Sequence, residues 1–258
     1  MATSILVFDS GLGGLTVFRE IVTARPDADY LYVADDAFFP YGEHGEDELV
    51  ERVVALMAEL IEAHRPDLVV VACNTASTLV LPQLRARFST PFVGTVPAIK
   101  PACAGSVSKL VSVLGTQATV SREYTRALIR DYANGSEVTL VGSARLAAFA
   151  EAELDGTPVA DALIAREMAP CFLERGGRRT DTVVLACTHY PLLIERLKCL
   201  APWPVSFLDP APAIARRVVD LCGPPSRDGV PGARLVFTSG RRPSARLDTA
   251  LARFGLGR

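Results

Sequence analysis

The sequence predicts an α/β fold made of two similar halves, and three observations carry that reading. Short apolar runs rich in β-branched residues recur along the 258 residues, as strands buried on both faces of a parallel sheet do. Longer amphipathic stretches separate them, so strands alternate with helices. The segment Asp67-Leu-Val-Val-Val-Ala-Cys73-Asn-Thr75 recurs as Asp181-Thr-Val-Val-Leu-Ala-Cys187-Thr-His189, with five of nine positions identical. The two cysteines are 114 positions apart (187 minus 73), about the size of one small domain.

Element by element, the strands are predicted at residues 5–8, 31–33, 68–72, 111–114, 138–141, 183–186 and 205–208. After the first strand, Asp9-Ser10-Gly11-Leu12-Gly13-Gly14 opens a helix. It is a distant relative of the glycine-rich phosphate loops, without G-x-G-x-x-G and without the lysine of a P-loop. Its backbone N–H groups suit a carboxylate equally well. Asp9, at a strand end, either caps the helix or orients or deprotonates a neighbouring thiol. Asp35-Asp36-Ala37-Phe38-Phe39-Pro40-Tyr41-Gly42 follows the second strand as a structured loop. Leu49, Val50, Val53, Val54, Leu56, Met57, Leu60 and Ile61 form a one-sided stripe at helical spacing, ended by Arg65-Pro66. Gly115-Thr116-Gln117-Ala118-Thr119 follows the strand at 111–114, where Thr116 or Thr119 caps the next helix, binds a carboxylate, or does both. The proline-rich stretch 202–212 carries the chain from the second half back to the first.

Composition narrows the function. Apolar residues make up 49% and charged residues 22%, the profile of a globular protein. A net charge of −2 gives no field that favours nucleic acid or a membrane surface as partner. The basic stretch 234–258, with six arginines and one acid, reads as a solvated helix face. The chain begins almost at its first strand, with no secretory leader and no long apolar span, so a cytoplasmic location is expected. Cysteines in that compartment stay reduced. The six at 73, 103, 171, 187, 199 and 222 contain no C-x-x-C pair and spell neither a disulfide framework nor a zinc ribbon.

Chemistry points to the repeated cysteines. Each follows a strand and precedes a helix, and helix N-termini can lower a thiol pKa from about 8.5. A single cysteine in that place is ordinarily a small core residue; two in the same repeated context are harder to assign to packing. In open α/β sheets ligands bind at the carboxyl ends of strands, so two such halves would set two thiols at one cleft. Inversion of a stereocentre suits this pair, one base and one acid on opposite faces exchanging roles after each turnover. His189, two residues beyond Cys187, either assists that thiol or binds metal. Cys103, Cys171, Cys199 and Cys222 lack the context and are expected in packing or at the surface. His44 and His64 lie in polar helical surroundings and are expected in solvent. Zinc on Cys73, Cys187 and His189 has poor chelate spacing and no fourth ligand. Pyridoxal phosphate needs a Schiff-base lysine, and Lys100, Lys109 and Lys198 follow no phosphate loop. No cofactor and no metal are expected.

Taken in order, Phe8-Asp9-Ser10-Gly-Leu-Gly-Gly-Leu15, Pro40-Tyr41-Gly42, Ala72-Cys73-Asn74-Thr75-Ala76, Val96-Pro97-Ala98-Ile99-Lys100-Pro101 and Cys187-Thr188-His189-Tyr190-Pro191-Leu192 resemble the bacterial glutamate racemases. The resemblance runs from about Ile5 to Gly240 and is nearest the proteobacterial branch. It implies two flavodoxin-like parallel-sheet domains related by pseudo-twofold symmetry, with the active site in the interdomain cleft. The domains would be 1–97 plus 206–258, and 98–205. It implies racemisation of L- and D-glutamate without pyridoxal phosphate or metal, supplying D-glutamate for peptidoglycan. Cys73 and Cys187 would be the proton carriers, assisted by Asp9 and His189 respectively. Ser10, Pro40, Tyr41, Gly42, Asn74, Thr75, Thr116, Thr119 and Thr188 would hold substrate. Asp35 and Glu151 fall where the family has supporting carboxylates. Among partners, the family implies a homodimer and a muramyl-nucleotide activator.

Three departures from the family pattern stand out. Asp35-Asp36 replaces the Asp-Thr of many members, Asp209-Pro210-Ala211 replaces Asp-Ser-Gly/Ala, and the sequence starts almost at the first strand where some nucleotide-activated relatives carry an N-terminal extension. The last weighs against the activator. Three other functions compete: a sister racemase acting on aspartate or hydantoins, a single-cysteine decarboxylase or isomerase of the superfamily, and an amino-acid-binding protein. Two retained cysteines argue against the last two.

Overall fold

The structure is a computed structural model describing residues 2–225 and 232–256. Among these the strands in chain order are β1 (Ser4–Asp9), β2 (Asp29–Ala34), β3 (Leu68–Val71), β4 (Phe92–Gly94), β5 (Leu110–Thr116), β6 (Glu137–Ser143), β7 (Glu174–Arg175), β8 (Arg178–Arg179), β9 (Thr182–Ala186), β10 (Ser206–Leu208) and β11 (Ala233–Phe237). The chain divides into two compact units, Met1–Thr95 with Ala211–Arg258, and Val96–Pro210.

In the first unit the sheet order is β11-β2-β1-β3-β4, all parallel. In the second it is β10-β9-β5-β6, again all parallel. Numbered from the start of its own sheet, each contains the order 2-1-3-4, the flavodoxin-like arrangement; β11 is an addition on the β2 edge. The sequence repeat therefore marks the third strand of each sheet, β3 and β9. The antiparallel hairpin β7–β8 stands apart from both sheets.

The second boundary differs from the one read off the sequence. Residues 206–208 were expected in the first domain, but Ser206–Leu208 pairs in register with Thr182–Val184 as the last strand of the second sheet. The chain returns at Ala211, where the helix Ala211–Cys222 begins. The first crossing lies between Thr95 and Val96 rather than after residue 97.

Burial follows the predicted periodicity. Leu49, Val53, Met57 and Leu60 are the buried residues of the helix Glu46–His64. They pack with Val80 and Leu84 of the helix Asn74–Arg87 against Leu6, Phe8, Val33, Val69 and Val71 of the sheet. Each fully buried side chain of this kind stabilises by about 1.5–3 kcal/mol. The helix ends as expected, with Arg65 in the left-handed region at φ 46 ahead of Pro66. In the second unit Ile99, Ala102 and Cys103 of the helix Ile99–Gly105 pack on Val111, Val113, Val184 and Ala186. Among the described residues no helix is long and apolar enough to cross a membrane.

Candidate active site

In the first unit the site begins at the point where the strand order reverses, between β1 and β3, where ligands of such sheets gather. Phe8 pairs with Val71, so the chain leaves the two strands side by side as Asp9 and as Ala72–Cys73. Asp9 is fully buried, and its Oδ2 accepts the Gly11 N–H at 3.1 Å. Gly14 is needed here for space: a Cβ on it would lie 2.8 Å from Asp9 Cβ and from the Tyr32 hydroxyl. The glycine-rich turn thus brings the helix Leu15–Ala24 down onto Asp9. Cys73 is the N-cap of the helix Asn74–Arg87, its carbonyl accepting the Ser77 N–H at 2.9 Å and its Sγ 3.7 Å from Ser10 Oγ. Asn74 and Thr75 are buried beside it. Both polar atoms of the Asn74 side chain are buried without a hydrogen-bond partner among the described residues. Native interiors rarely leave such groups unmet, and this amide is suited to a polar ligand.

The second unit repeats the arrangement. Gly115 pairs with Ala186, so β5 and β9 end side by side in Thr116 and Cys187. Thr116 caps the helix Gln117–Ser121, accepting the Thr119 N–H at 3.1 Å, and its hydroxyl lies 3.0 Å from that of Thr119. Capping is therefore established for Thr116, and the paired hydroxyls remain at the strand end. Cys187 and Thr188 are buried. A short 3-10 turn, Tyr190–Leu193, intervenes before the helix Ile194–Leu200, so Cys187 is not at an α-helix N-terminus as the repeat suggested. Its companion is His189: Nδ1 lies 3.8 Å from Cys187 Sγ and Nε2 lies 3.0 Å from Glu151 Oε1. Burial alone would lower the pKa of this imidazole, but the hydrogen bonds and charges of Cys187 and Glu151 outweigh it and raise it well above the usual value. Protonated His189 can then donate from both ring nitrogens, to sulfur on one side and carboxylate on the other.

The loop after β2 is fixed by Asp35. Its buried carboxylate accepts hydrogen bonds from Tyr41 Oη at 2.6 Å, Arg52 Nε at 3.1 Å, Arg52 Nη2 at 2.6 Å and Thr238 Oγ1 at 2.7 Å. Burial would raise its pKa, but these donors and the Arg52 charge hold it below the usual carboxylate range. Tyr41 is buried and packs near Phe8, with ring centroids 6.5 Å apart, in the same apolar cluster as Cys73. Pro40 precedes it and Gly42 follows it, both half-buried. Asp36, the departure from the family pattern, accepts Ser239 N at 3.0 Å and Ser239 Oγ at 2.6 Å and pairs with Arg241 Nε at 2.7 Å. Arg52 and Thr238 carry no local sequence signal, since they lie 17 and 203 positions from Asp35.

Other expectations resolve individually. Cys103 and Cys171 are buried, Cys199 is exposed and Cys222 half-buried; all six cysteines are free. Lys109 Nζ donates to the Cys103 carbonyl at 3.0 Å, Lys198 pairs with Glu195 at 2.8 Å, and Lys100 lies over the Tyr132 ring. Among the described residues no three His, Cys, Asp or Glu side chains gather as metal ligands. His44 is not a solvated helical residue: it precedes the helix and stacks on Phe38 at 3.7 Å. The basic C-terminal stretch is not one helix face either. Arg234 lies in β11 and Arg241 pairs with Asp36; only Ala245–Ala252 is helical, and residues 257–258 lie outside the described residues.

Comparison with known proteins extends this picture. The family model described as Asp/Glu/Hydantoin racemase matches residues 5–218. The chain is 52% identical to the glutamate racemase of Brucella ovis over 255 residues, 98% of this chain and 92% of that one. It is 57% identical to the glutamate racemase of Brucella anthropi over 225 residues, 87% of this chain and 81% of that one. Among solved structures, Escherichia coli glutamate racemase in complex with L-glutamate and the activator UDP-MurNAc-Ala superposes with a TM-score of 0.87. That match has 41% identity and covers 99% of this chain and 96% of that one.

Proposed function

Because the chain belongs to the Asp/Glu/hydantoin racemase family, we propose that it interconverts L- and D-glutamate by proton transfer between Cys73 and Cys187, supplying D-glutamate for peptidoglycan. The single observation that carries the two-thiol reading is the matched placement of the cysteines. Each follows the third strand of a 2-1-3-4 sheet, beside the end of the first strand. The reaction requires the two sulfurs to address opposite faces of one α-carbon. One, as thiolate, removes the α-proton; the other, as thiol, returns a proton to the opposite face, and the roles are reversed for the opposite direction of reaction.

The companions divide the remaining tasks. Asp9 and Ser10 attend Cys73, and His189 backed by Glu151 attends Cys187. The Asn74 amide, with Thr75, Thr116, Thr119 and Thr188, holds the carboxylates and ammonium of glutamate. Donors set in place for the carbanion-like transition state lower its energy more than that of bound substrate. A mechanism resting on thiols belongs in a reducing compartment, so the cytoplasm is its place.

The test is formation of D-glutamate from L-glutamate, and the reverse, by dialysed protein with a chelator present, with aspartate and a hydantoin assayed alongside. Turnover of glutamate without added cofactor is expected. Activity that vanishes with chelator and returns with zinc, or a preference for aspartate, overturns the reading. A homodimer and a response to a muramyl nucleotide complete the family reading. The support for the latter is that the E. coli structure carries UDP-MurNAc-Ala as activator. Sedimentation and turnover with and without that nucleotide decide both.

A further inference from the structure

We propose that Asp35 is an anchoring anion rather than a proton carrier, and that Arg52 and the segment Thr238–Arg241 form a clasp that positions the Pro40–Tyr41–Gly42 loop for substrate. This deepens the glutamate reading and rests on it. The clasp closes from two sides. From the helix Glu46–His64, Arg52 meets both carboxylate oxygens of Asp35, a planar, two-point contact that fixes orientation as well as charge. From the strand end beyond β11, Thr238 donates its hydroxyl to Asp35 and accepts the Ala37 N–H at 3.2 Å, while its own N–H donates to the Ala34 carbonyl at 3.0 Å. One residue on, Ser239 meets Asp36 through backbone and side chain, and Arg241 closes on the same carboxylate. Gly240, at φ 71, makes the turn that lets Ser239 and Arg241 reach one partner.

The geometry decides between base and anchor. Asp35 accepts hydrogen bonds from four donor atoms, and its carboxylate is completely buried. A carboxylate so engaged has no reason to take up a proton from a substrate. What it does hold is Tyr41, whose hydroxyl donates to Asp35 and whose ring packs in the Cys73 cluster. Loss of the clasp therefore reaches the substrate loop by freeing Tyr41. Arg52, Thr238 and Asp36 are positioning residues.

The experiment compares Arg52→Gln, Arg52→Lys, Thr238→Val and Asp36→Ala with the parent chain. Each is assayed for kcat and KM in both directions, for the pH profile of kcat, for melting temperature, and for hydrogen exchange of residues 36–43. Arg52→Gln is expected to raise KM about tenfold or more while kcat changes by less than about threefold, because binding geometry is lost and proton transfer is not. Exchange of 36–43 should quicken, and Arg52→Lys should restore part of the KM. Thr238→Val, nearly isosteric, should show the same pattern more mildly and serves if Arg52→Gln does not fold. An unchanged KM with unchanged exchange overturns the clasp. A fall in kcat with a shifted pH profile at constant KM makes Asp35 a proton carrier and overturns it too. Racemisation by the parent chain is read first. Its absence counts against the glutamate reading alone, and the exchange data then decide the clasp independently.

Discussion

Nε2 of His189 lies 3.0 Å from Oε1 of Glu151, a contact between residues 38 positions apart that the chain closes by setting the helix Leu146–Leu154 beside the end of β9. The carboxylate holds the buried ring in place and favours its charged form, with the Cys187 sulfur on the other nitrogen. His189→Asn is accordingly expected to lower turnover by about 10²- to 10⁴-fold with little change in KM, the range of general acid–base assistance. Glu151→Gln keeps an acceptor but removes the charge, so a smaller loss, about tenfold, is expected, with the limb of the pH profile that reports His189 moved to lower pH. Steady-state rates across pH for both variants check this; parent-like turnover in His189→Asn would reduce the residue to a structural one.

The same contact makes a stability prediction with a definite sign. The folded pKa of His189 is raised above its unfolded value near 6.5. Its contribution to stability is then fully present below about pH 6.5 and is lost as pH rises through the raised folded value. Denaturant melts of the parent and His189→Asn should differ most in acid and converge as pH increases. Asp35 gives the opposite case, since its folded pKa is lowered. Its contribution is present above about pH 3.9 and is lost as pH falls through the lower folded value.

These residues also show what a sequence can and cannot disclose. Cys73 and Cys187 stand out because a strand, a cysteine and a following helix leave a local pattern, and the pattern occurs twice. Asp9 and His189 are visible because they sit in the same motifs. Arg52 and Thr238 are not, because tertiary pairing with Asp35 leaves no periodicity. Strand β4 has only three residues, and β11 alternates half-buried and exposed positions along an edge, Val236 being 39% exposed. Neither reads as a continuously apolar run. The placement of 206–208 failed for a related reason: a proline-rich stretch announces a crossing between halves but not on which side of it a short strand will pair.

Burial separates the six thiols by reactivity. Cys199 is exposed and should be alkylated first, whether or not glutamate is present. Cys171 should be inert, since burial pushes its thiol up to about 12. Cys73 and Cys187, 5% and 6% exposed, should react slowly and be protected by glutamate. Mass mapping with and without glutamate reads the outcome. Glutamate-dependent protection confined to Cys103, Cys171, Cys199 or Cys222 would mean that the site lies elsewhere.

The glycine turn before the helix Leu15–Ala24 can be tested through Gly14. A methyl group there meets Asp9 Cβ and the Tyr32 hydroxyl at 2.8 Å and Ala72 Cβ at 3.1 Å. Gly14→Ala is expected to cost about 1–3 kcal/mol, as overpacking does, and to depress turnover by displacing Asp9. Gly105→Ala is the control: among the described residues nothing lies within 4 Å of a Cβ there, so melting temperature and rate should stay near parent values.

The two-thiol mechanism itself is tested by Cys73→Ser and Cys187→Ser. A hydroxyl is nearly the size of a thiol but a far weaker acid, so each variant keeps its fold and loses one proton carrier. Both sulfurs lie at strand ends rather than deep in the sheets, and glutamate binding is assigned to neighbouring polar groups, so melting temperature and glutamate affinity should stay near the parent values. Racemisation should fall by orders of magnitude in both, because inversion needs an acid and a base on opposite faces. Exchange of the α-proton in deuterated water separates the two. On the assignment of Cys73 to D-glutamate and Cys187 to L-glutamate, residual exchange in Cys187→Ser should favour D-glutamate, and that in Cys73→Ser should favour L-glutamate. The reverse bias would swap the two assignments and leave the mechanism standing. Substantial racemisation by either single variant would mean that one thiol suffices, and the paired-cysteine mechanism would be wrong.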